Sequence, residues 1–189
     1  MEVKGAVVKT IPDLIKSRYP DKYDAWMNAL PPDSAVIFRE FVKSADWYPF
    51  MSGMHIPTQK LGEVVYNGDI LKAAWESGRY SAEVTLKGVY KFFVMAAPPS
   101  MVIKRGSRIL ATFYQPTELI INDEGDGWAQ LYITKFDELT EVIENRIAGW
   151  IEKALEIQKI RNTSITIPQS AAKGDPVTEL FIKWGKENH

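Results

Sequence analysis

The chain contains no cysteine and only two histidines among its 189 residues. Without cysteine, disulfides, thiolate metal sites and a cysteine nucleophile are excluded. The chain also has no excess of charge of either sign, because 23 basic and 24 acidic residues leave a formal net charge of −1. A chain this close to neutral has no excess of positive charge for nucleic acid or an anionic membrane surface, so we expect neither partner.

Long hydrophobic runs are also missing. No segment approaches the roughly 20 consecutive apolar residues that a membrane-spanning helix needs, so we expect no membrane span. The opening segment, MEVKGAVVKTIPDLIK, has neither a long apolar stretch nor a small-residue cleavage site, which makes a cytoplasmic location the expectation. No dinucleotide-binding, Walker or nucleophile-elbow motif occurs, and we expect no enzymatic activity.

The chain is instead rich in core-forming residues, with 46% hydrophobic and 12% aromatic side chains. A domain of this length buries roughly 70% of its unfolded surface and needs no covalent staples. We predict one domain over residues 1–185, with a helical part over about 1–99 and a sheet plus helix over about 100–185. Residues 186–189 are predicted to be a frayed tail.

Helical spacing of apolar residues dominates the first half. The segment Ile70 to Ser77 has this spacing, and Gly78 is predicted to cap the helix at its C-terminal end. A second, central helix is predicted from Tyr80 to Ala97, and the double proline Pro98-Pro99 is predicted to end it.

The second half alternates between strand patterns and one long helix. Asp137 is predicted to cap that helix, whose apolar face includes Ile143, Ile147 and Ile151. Predicted extended segments are Arg108–Tyr114, Glu118–Asn122, Trp128–Ile133, Thr163–Ile167 and Glu179–Trp184. The acidic turn between the second and third of these resembles a calcium loop only weakly, and a solvated hairpin turn is favoured. Segregated helices and antiparallel hairpins, with the long helix between two hairpins, predict an α+β fold.

Three segments of the chain carry a resemblance to a known family through their order and spacing. They are Lys4-Gly5-Ala6-Val7-Val8 with Leu14, Ile15 and Tyr19; Ala97 to Ile103 with Phe113-Tyr114; and Gly149 to Ile157, Ser164 to Ile167, Lys173-Gly174-Asp175-Pro176 and Phe181. These segments resemble the haem–nitric oxide/oxygen binding (H-NOX) superfamily and its haem-free relatives, the 4-vinyl reductase domains and trafficking-complex subunits. The resemblance spans nearly the whole chain and implies an H-NOX-like fold.

The same resemblance implies haem ligands that this chain lacks. An H-NOX protein has its proximal histidine roughly three helical turns before the proline segment. That region here, Glu83 to Gly88, contains no His, Cys, Met or Tyr. The family's Tyr-x-Ser-x-Arg motif, which holds the haem propionates, would begin at Tyr114, but its serine and arginine are missing and Glu118 would repel a propionate. The resemblance therefore implies the haem-free branch, and we expect no cofactor.

The 4-vinyl reductase domains carry cysteines that flank a Gly-Asp-Pro turn. In this chain, Ser170 to Ala172 and Thr178 occupy that neighbourhood. A thiolate metal site is thus absent there, and no metal site is predicted.

A ligand pocket is predicted between the central helix and the sheet. Large side chains border the stretch that would line it, and the residues chosen as its lining are Trp75, Phe93, Met101 and Tyr114. Two interpretations stay open. The side chains either surround an apolar cavity or fill the volume that haem would occupy.

Three other groups of polar residues are candidates for chemistry. His55 is either an unusual haem or metal ligand or, as we favour, a half-exposed loop histidine. The basic cluster Lys104 to Arg108 either binds an anionic ligand or partner or is a solvated connection. The carboxylates Asp137, Glu138, Glu141 and Glu144 are interpreted as the polar outer face of the long helix.

Two functions follow as hypotheses. The first is a haem-free ligand-binding or sensory module that binds a small hydrophobic molecule and passes a shape change to a partner. The second is a protein-interaction or homodimer module that docks through the aromatic-rich helical half. Haem binding through His55 or Tyr114 is a third, less favoured alternative.

Overall fold

The first half of the protein is helical, with a short sheet between its helices. The computed structural model describes residues 1–86 and 98–185. The elements of the first half are β1 (Glu2–Lys4), α1 (Gly5–Val8), α2 (Thr10–Arg18), a 3₁₀ turn (Pro20–Lys22), α3 (Tyr23–Ala29), α4 (Pro32–Arg39), β2 (Trp47–Pro49), a π-helical turn (Met51–His55), α5 (Ile56–Val65) and α6 (Ile70–Thr85).

The second half contains an antiparallel sheet and two longer helices. Its elements are α7 (Pro99–Ala111), β3 (Tyr114–Gln115), β4 (Thr117–Gly125), β5 (Trp128–Phe136), α8 (Glu141–Ile157), β6 (Ser164–Gln169), a 3₁₀ turn (Ala171–Lys173) and β7 (Thr178–Lys183). β3 joins the first-half sheet in the order β2-β1-β3, and the other strands form a sheet in the order β4-β5-β7-β6. The hairpins β4–β5 and β6–β7 lie on either side of α8 in the chain, which confirms the predicted α+β fold.

Helices α6 and α8 pack with their backbones in close contact, because each places a glycine at the crossing. A Cβ atom on Gly78 of α6 would lie 2.0 Å from the Arg146 carbonyl oxygen, and one on Gly149 of α8 would lie 2.2 Å from the Trp75 carbonyl oxygen. Any larger residue would push the helices apart. The prediction that Gly78 caps a helix is therefore wrong: Gly78 lies inside α6, where helix packing rather than chain termination requires it.

The segment predicted to be extended from Arg108 to Tyr114 is also different in the structure. Helix α7 begins at Pro99, whose fixed φ suits the first helical turn, and continues to Ala111. Its buried residues, Val102, Ile103, Gly106, Ser107 and Leu110, recur at the three- and four-residue spacing of one helix face. Most of the segment whose alternating pattern predicted a strand is therefore the last turn of an amphipathic helix.

The long helix α8 starts three residues later than a cap at Asp137 would place it. Thr140 has the extended backbone of an N-cap residue, and the helix follows from Glu141. Asp69, in contrast, caps α6 with its side chain, because its Oδ1 accepts the Lys72 N–H at 2.9 Å.

Part of the predicted central helix lies outside the described residues. Its first residues continue α6 to Thr85, and Leu86 follows as the C-cap. Residues 87–97, which include Phe93, and the predicted tail 186–189 are not described. None of the helices in the described part of the chain is long and apolar enough to cross a membrane.

Candidate ligand site and the polar clusters around it

An apolar cleft of about 500 Å³ lies between the end of α6 and the last turns of α7. Leu86, Ile109 and Phe113 supply its apolar lining. Thr85 and Thr112 also line it, but each hydroxyl donates to a carbonyl of its own helix, Ser81 O at 2.8 Å and Ile109 O at 2.7 Å respectively. Among the described lining residues, the two hydroxyl protons are therefore already engaged, and Leu86, Ile109 and Phe113 offer apolar surface.

Arg108 lines this apolar cleft and also a second, polar groove of about 460 Å³ between α7 and β4. Lys104 lies one helical turn before Arg108 and borders the same polar groove. Asp123 and Glu124 of β4 are on the groove's other side. The predicted basic cluster is thus the exposed face of a helix rather than a connecting loop.

A buried guanidinium connects the two halves of the structure. Arg146 of α8 is 2% exposed and donates to Ser77 Oγ of α6 at 2.6 Å and to Thr10 Oγ1 of α2 at 2.9 Å. Both hydroxyls donate their own protons to backbone carbonyls, Ala74 O and Val7 O, so each presents a lone pair to the arginine. These bonds stabilise a charge that would otherwise be costly to bury.

Tyr114 shares this buried cluster. Its side chain is 3% exposed. Burial raises the pKa of Tyr114, and the positive charge of Arg146 offsets part of that rise. The phenol is therefore neutral at neutral pH. The sequence motif that begins at Tyr114 lacks an arginine, and the tertiary structure brings one to it from a different element.

Arg146 was missed because α8 was interpreted as a helix with one apolar face. In the structure α8 is buried around most of its circumference, and Arg146 lies between Ile143 and Ile147 on the apolar stripe. A charged residue in register with such a stripe is the sequence signal that would have found it.

Glu144 likewise does not belong to a solvated face, so that prediction is wrong for this residue. It is 1% exposed, and its Oε2 accepts the Ser170 hydroxyl at 2.7 Å. Its Oε1 accepts the Thr178 hydroxyl and the Ala172 N–H. Ser170, Ala172 and Thr178 therefore hold a carboxylate of α8, which fastens the β6–β7 hairpin to this helix.

His55 is buried at 6% exposure, which corrects the expected half-exposed loop position. It ends the π-helical turn, and its Nδ1 lies 3.2 Å from Oγ1 of Thr140, the N-cap residue of α8. Burial lowers the pKa of His55, and the nearby Glu138 carboxylate offsets this only in part. The imidazole is thus held neutral, as a contact between the helical half and the start of α8.

Aromatic rings fill the space between His55 and Tyr114. The Phe50 ring lies 6.2 Å from the His55 ring and 6.5 Å from the Tyr114 ring, centroid to centroid. Phe136 packs edge-on against Phe50 at 5.4 Å. These edge and tilted contacts are favourable aromatic geometries and leave this part of the core filled with side chains.

The residues predicted to line one pocket lie in different surroundings. Trp75 borders a third cleft, of about 540 Å³ beside β6, and donates its indole N–H to Glu152 at 2.9 Å. Met101 is 41% exposed on α7, and Tyr114 is in the core. Phe93 lies outside the described residues. The four-residue pocket therefore stays a prediction.

The fold, taken as a whole, is that of the H-NOX proteins. Solved structures match nearly the full chain: the Fe(II) unliganded H-NOX protein from K. algicida has a TM-score of 0.71 at 12% sequence identity, with 98% of each chain covered. A mutant H-NOX protein from S. oneidensis in the Fe(II) ligation state has a TM-score of 0.72 at 14% identity, with 98% of each chain covered. A point mutant of T. tengcongensis H-NOX has a TM-score of 0.66 at 14% identity, covering 98% of this chain and 100% of that one. No family model and no curated protein matches the sequence significantly, and at these identities the structural likeness establishes the fold.

Haem is the group that this fold implies, and the described residues do not fit it at the matching positions. At the place of the proximal histidine, Glu83 forms an ion pair with Arg18 at 3.0 Å and Leu86 is buried in the core. Neither is a suitable axial ligand. The Tyr114 hydroxyl is buried beside Arg146 instead of standing at the start of a propionate-binding motif.

Replacing Ser77 tests the hydroxyl cluster around Arg146. We expect Ser77→Ala to lower the free energy of unfolding by about 2 kcal/mol, because one N–H of a buried guanidinium loses its acceptor. Ser107→Ala is the matched control: Ser107 is also buried in a helix and donates to a carbonyl three residues earlier, but it accepts nothing from Arg146. Urea unfolding should show a loss below about 1 kcal/mol for the control, and equal losses in the two variants would contradict the cluster's role.

The neutral His55 predicts a pH dependence of stability. Its folded-state pKa is below the ordinary value of about 6.5, so the unfolded chain binds the proton more readily and stability falls as the pH drops below about 6.5. Between pH 7.5 and 5.5 we expect the wild-type unfolding free energy to decline more steeply than that of His55→Gln, which retains a polar side chain but does not titrate. Parallel declines in urea unfolding series would show that His55 does not carry the effect.

Proposed function

We propose that this protein is a ligand-binding, sensory module built on the H-NOX fold, and that it binds a small hydrophobic molecule in the apolar cleft. The observation that carries the proposal is the cleft itself, which has the volume and apolar lining of a small-molecule site. Its position between α6 and α7 places it beside the segment that leads into Tyr114.

The module acts without haem. Support comes from the lack of an axial donor between Glu83 and Gly88 and from Arg146, which stabilises the region around Tyr114 from within the protein. The aromatic packing of Phe50 and Phe136 supports the same conclusion, since these rings fill core volume next to Tyr114. In the region around Tyr114, side chains of the protein thus supply both the positive charge and the apolar packing.

A ligand in the cleft is connected to α8 through Phe113 and Tyr114. Phe113 lines the cleft, and Tyr114 follows it directly in the chain and faces Arg146. Movement of the α7–β3 junction therefore changes the surroundings of Arg146, and through α8 the position of the β6–β7 hairpin that Glu144 holds. The role that we propose is binding rather than catalysis, because the Thr85 and Thr112 hydroxyls in the cleft already donate to carbonyls of their own helices.

A neutral fluorescent probe tests the cleft. N-phenyl-1-naphthylamine should bind the wild-type protein with increased emission, and Ile109→Trp should weaken its binding at least about tenfold by filling the cleft. Val36→Trp is the matched control, since Val36 is 51% exposed on α4 and lines none of the clefts described above. The same purified protein, titrated with hemin, should give no Soret band.

Two outcomes would contradict the proposal. Equal probe binding by wild type and Ile109→Trp would remove the cleft as the site. A saturable Soret band with one equivalent of hemin would overturn haem independence, and its loss in His55→Gln or Tyr114→Phe would identify the residue that ligates the iron.

A second candidate function is docking to another protein or to a second copy through the helical half. Phe41, which follows α4, is 87% exposed, and Val36 within that helix is 51% exposed. Large apolar side chains this exposed are typical of contact surfaces when they lie together. A stable interface would have to bury at least about 1,000 Å² around them.

Sedimentation equilibrium separates this candidate from a monomeric module. Self-association predicts a concentration-dependent mass that Phe41→Ser reduces, while the exposed polar control Arg39→Gln leaves it unchanged. A constant monomer mass over the accessible concentration range would exclude the second copy as the partner.

A further inference from the structure

We propose that the ligand of the apolar cleft is an amphipathic monocarboxylate, with its apolar part in the cleft and its single carboxylate on Arg108. This inference rests on the proposed function and adds the chemical class of the ligand. It involves the basic segment Lys104 to Arg108 of α7, which takes no part in the buried hydrogen bonds of Arg146 and Glu144.

Arg108 is placed to receive an anionic head group at the mouth of the cleft. It is the charged residue that the apolar cleft and the polar groove share. Among residues 1–86 and 98–185, Arg108 takes part in none of the ion pairs that the structure shows. A guanidinium offers several N–H donors in a planar fork that matches the two oxygens of a carboxylate. Its charge is thus available to a ligand without breaking an internal pair.

The rest of the cleft lining favours an apolar tail. The Thr85 and Thr112 hydroxyls donate to carbonyls of their own helices, so among the described lining residues Arg108 supplies the side-chain N–H donors for a polar group. Both helices also end here, α6 at Thr85 and α7 at Ala111, and helix C-termini carry partial negative charge. A carboxylate is therefore disfavoured inside the cleft and is directed to Arg108.

The polar groove next to Arg108 limits the charge of the head group. Lys104 adds a second positive charge on the helix side, but Asp123 and Glu124 line the strand side. A head group with two or more negative charges that extends across the groove would meet these carboxylates. A single carboxylate bound by Arg108 need not extend across the groove, which separates this class from phosphate esters.

Competition among molecules with one chain length and different head groups tests the inference. Decanoate, decanol, decylammonium and decyl phosphate are each titrated against N-phenyl-1-naphthylamine bound to the 189-residue protein. The three ionic compounds stay below their critical micelle concentrations, and decanol stays below its solubility limit. We expect decanoate to displace the probe at a concentration about threefold to tenfold lower than decanol, and the other two to compete less well than decanoate. Arg108→Gln should remove the preference for decanoate over decanol, Arg108→Lys should retain part of it, and the distant Arg39→Gln should leave it unchanged.

The outcomes separate this inference from the proposed function. If decanol and decanoate compete equally in the wild type, or if the preference survives in Arg108→Gln, the head-group assignment fails while the cleft remains a hydrophobic site. A preference for decyl phosphate or decylammonium overturns the monocarboxylate class. If the probe itself does not bind, or Ile109→Trp does not weaken it, the proposed function fails and this inference fails with it.

Discussion

The close contact between α6 and α8 at Gly78 and Gly149 is the constraint on which the rest of the structure depends. Because the two backbones approach without intervening side chains, Arg146 is brought within hydrogen-bonding distance of Ser77. A separation larger by one side chain would leave the guanidinium buried without its acceptor, at a cost of several kcal/mol. The two glycines therefore permit both the close packing of α6 and α8 and the hydrogen bond that stabilises the buried Arg146.

Helix α8 also connects the halves of the protein through charges that point to different partners. Arg146 reaches the hydroxyls of α2 and α6, whereas Glu144 receives the hydroxyls of Ser170 and Thr178 from the second hairpin. His55 contacts the N-cap residue Thr140 at the same helix's start. A displacement of α8 would disturb all three contacts, because each depends on a directional hydrogen bond. In the proposed function, these contacts are the route by which a small change at the α7–β3 junction reaches distant parts of the fold.

Much of the architecture was predictable from local pattern. The two hairpins around a long helix follow from alternation with period two and from apolar spacing near 3.6, and both survive in the structure. The errors occurred where tertiary contacts override local signals: Gly78 ends no helix because it is needed at a crossing, and the segment from Arg108 to Ala111 is helical because it continues the buried face that starts at Val102.

The candidate site was less predictable. Of the lining residues chosen, Trp75, Met101 and Tyr114 lie in different surroundings. The order of residues in the sequence does not indicate which distant side chains packing brings together.

The sequence by itself determined the class of the fold, the absence of thiolate chemistry and the lack of a histidine in the segment before the double proline, because these depend on residue identity and local periodicity. Only the tertiary structure decided which partners surround the buried polar groups. Arg146 reaches the neighbourhood of Tyr114 from another helix, and the Ser170 and Thr178 hydroxyls bind Glu144. The physical reason is that a buried charge is stabilised by whichever partners surround it in space, and those partners come from segments far apart in the chain.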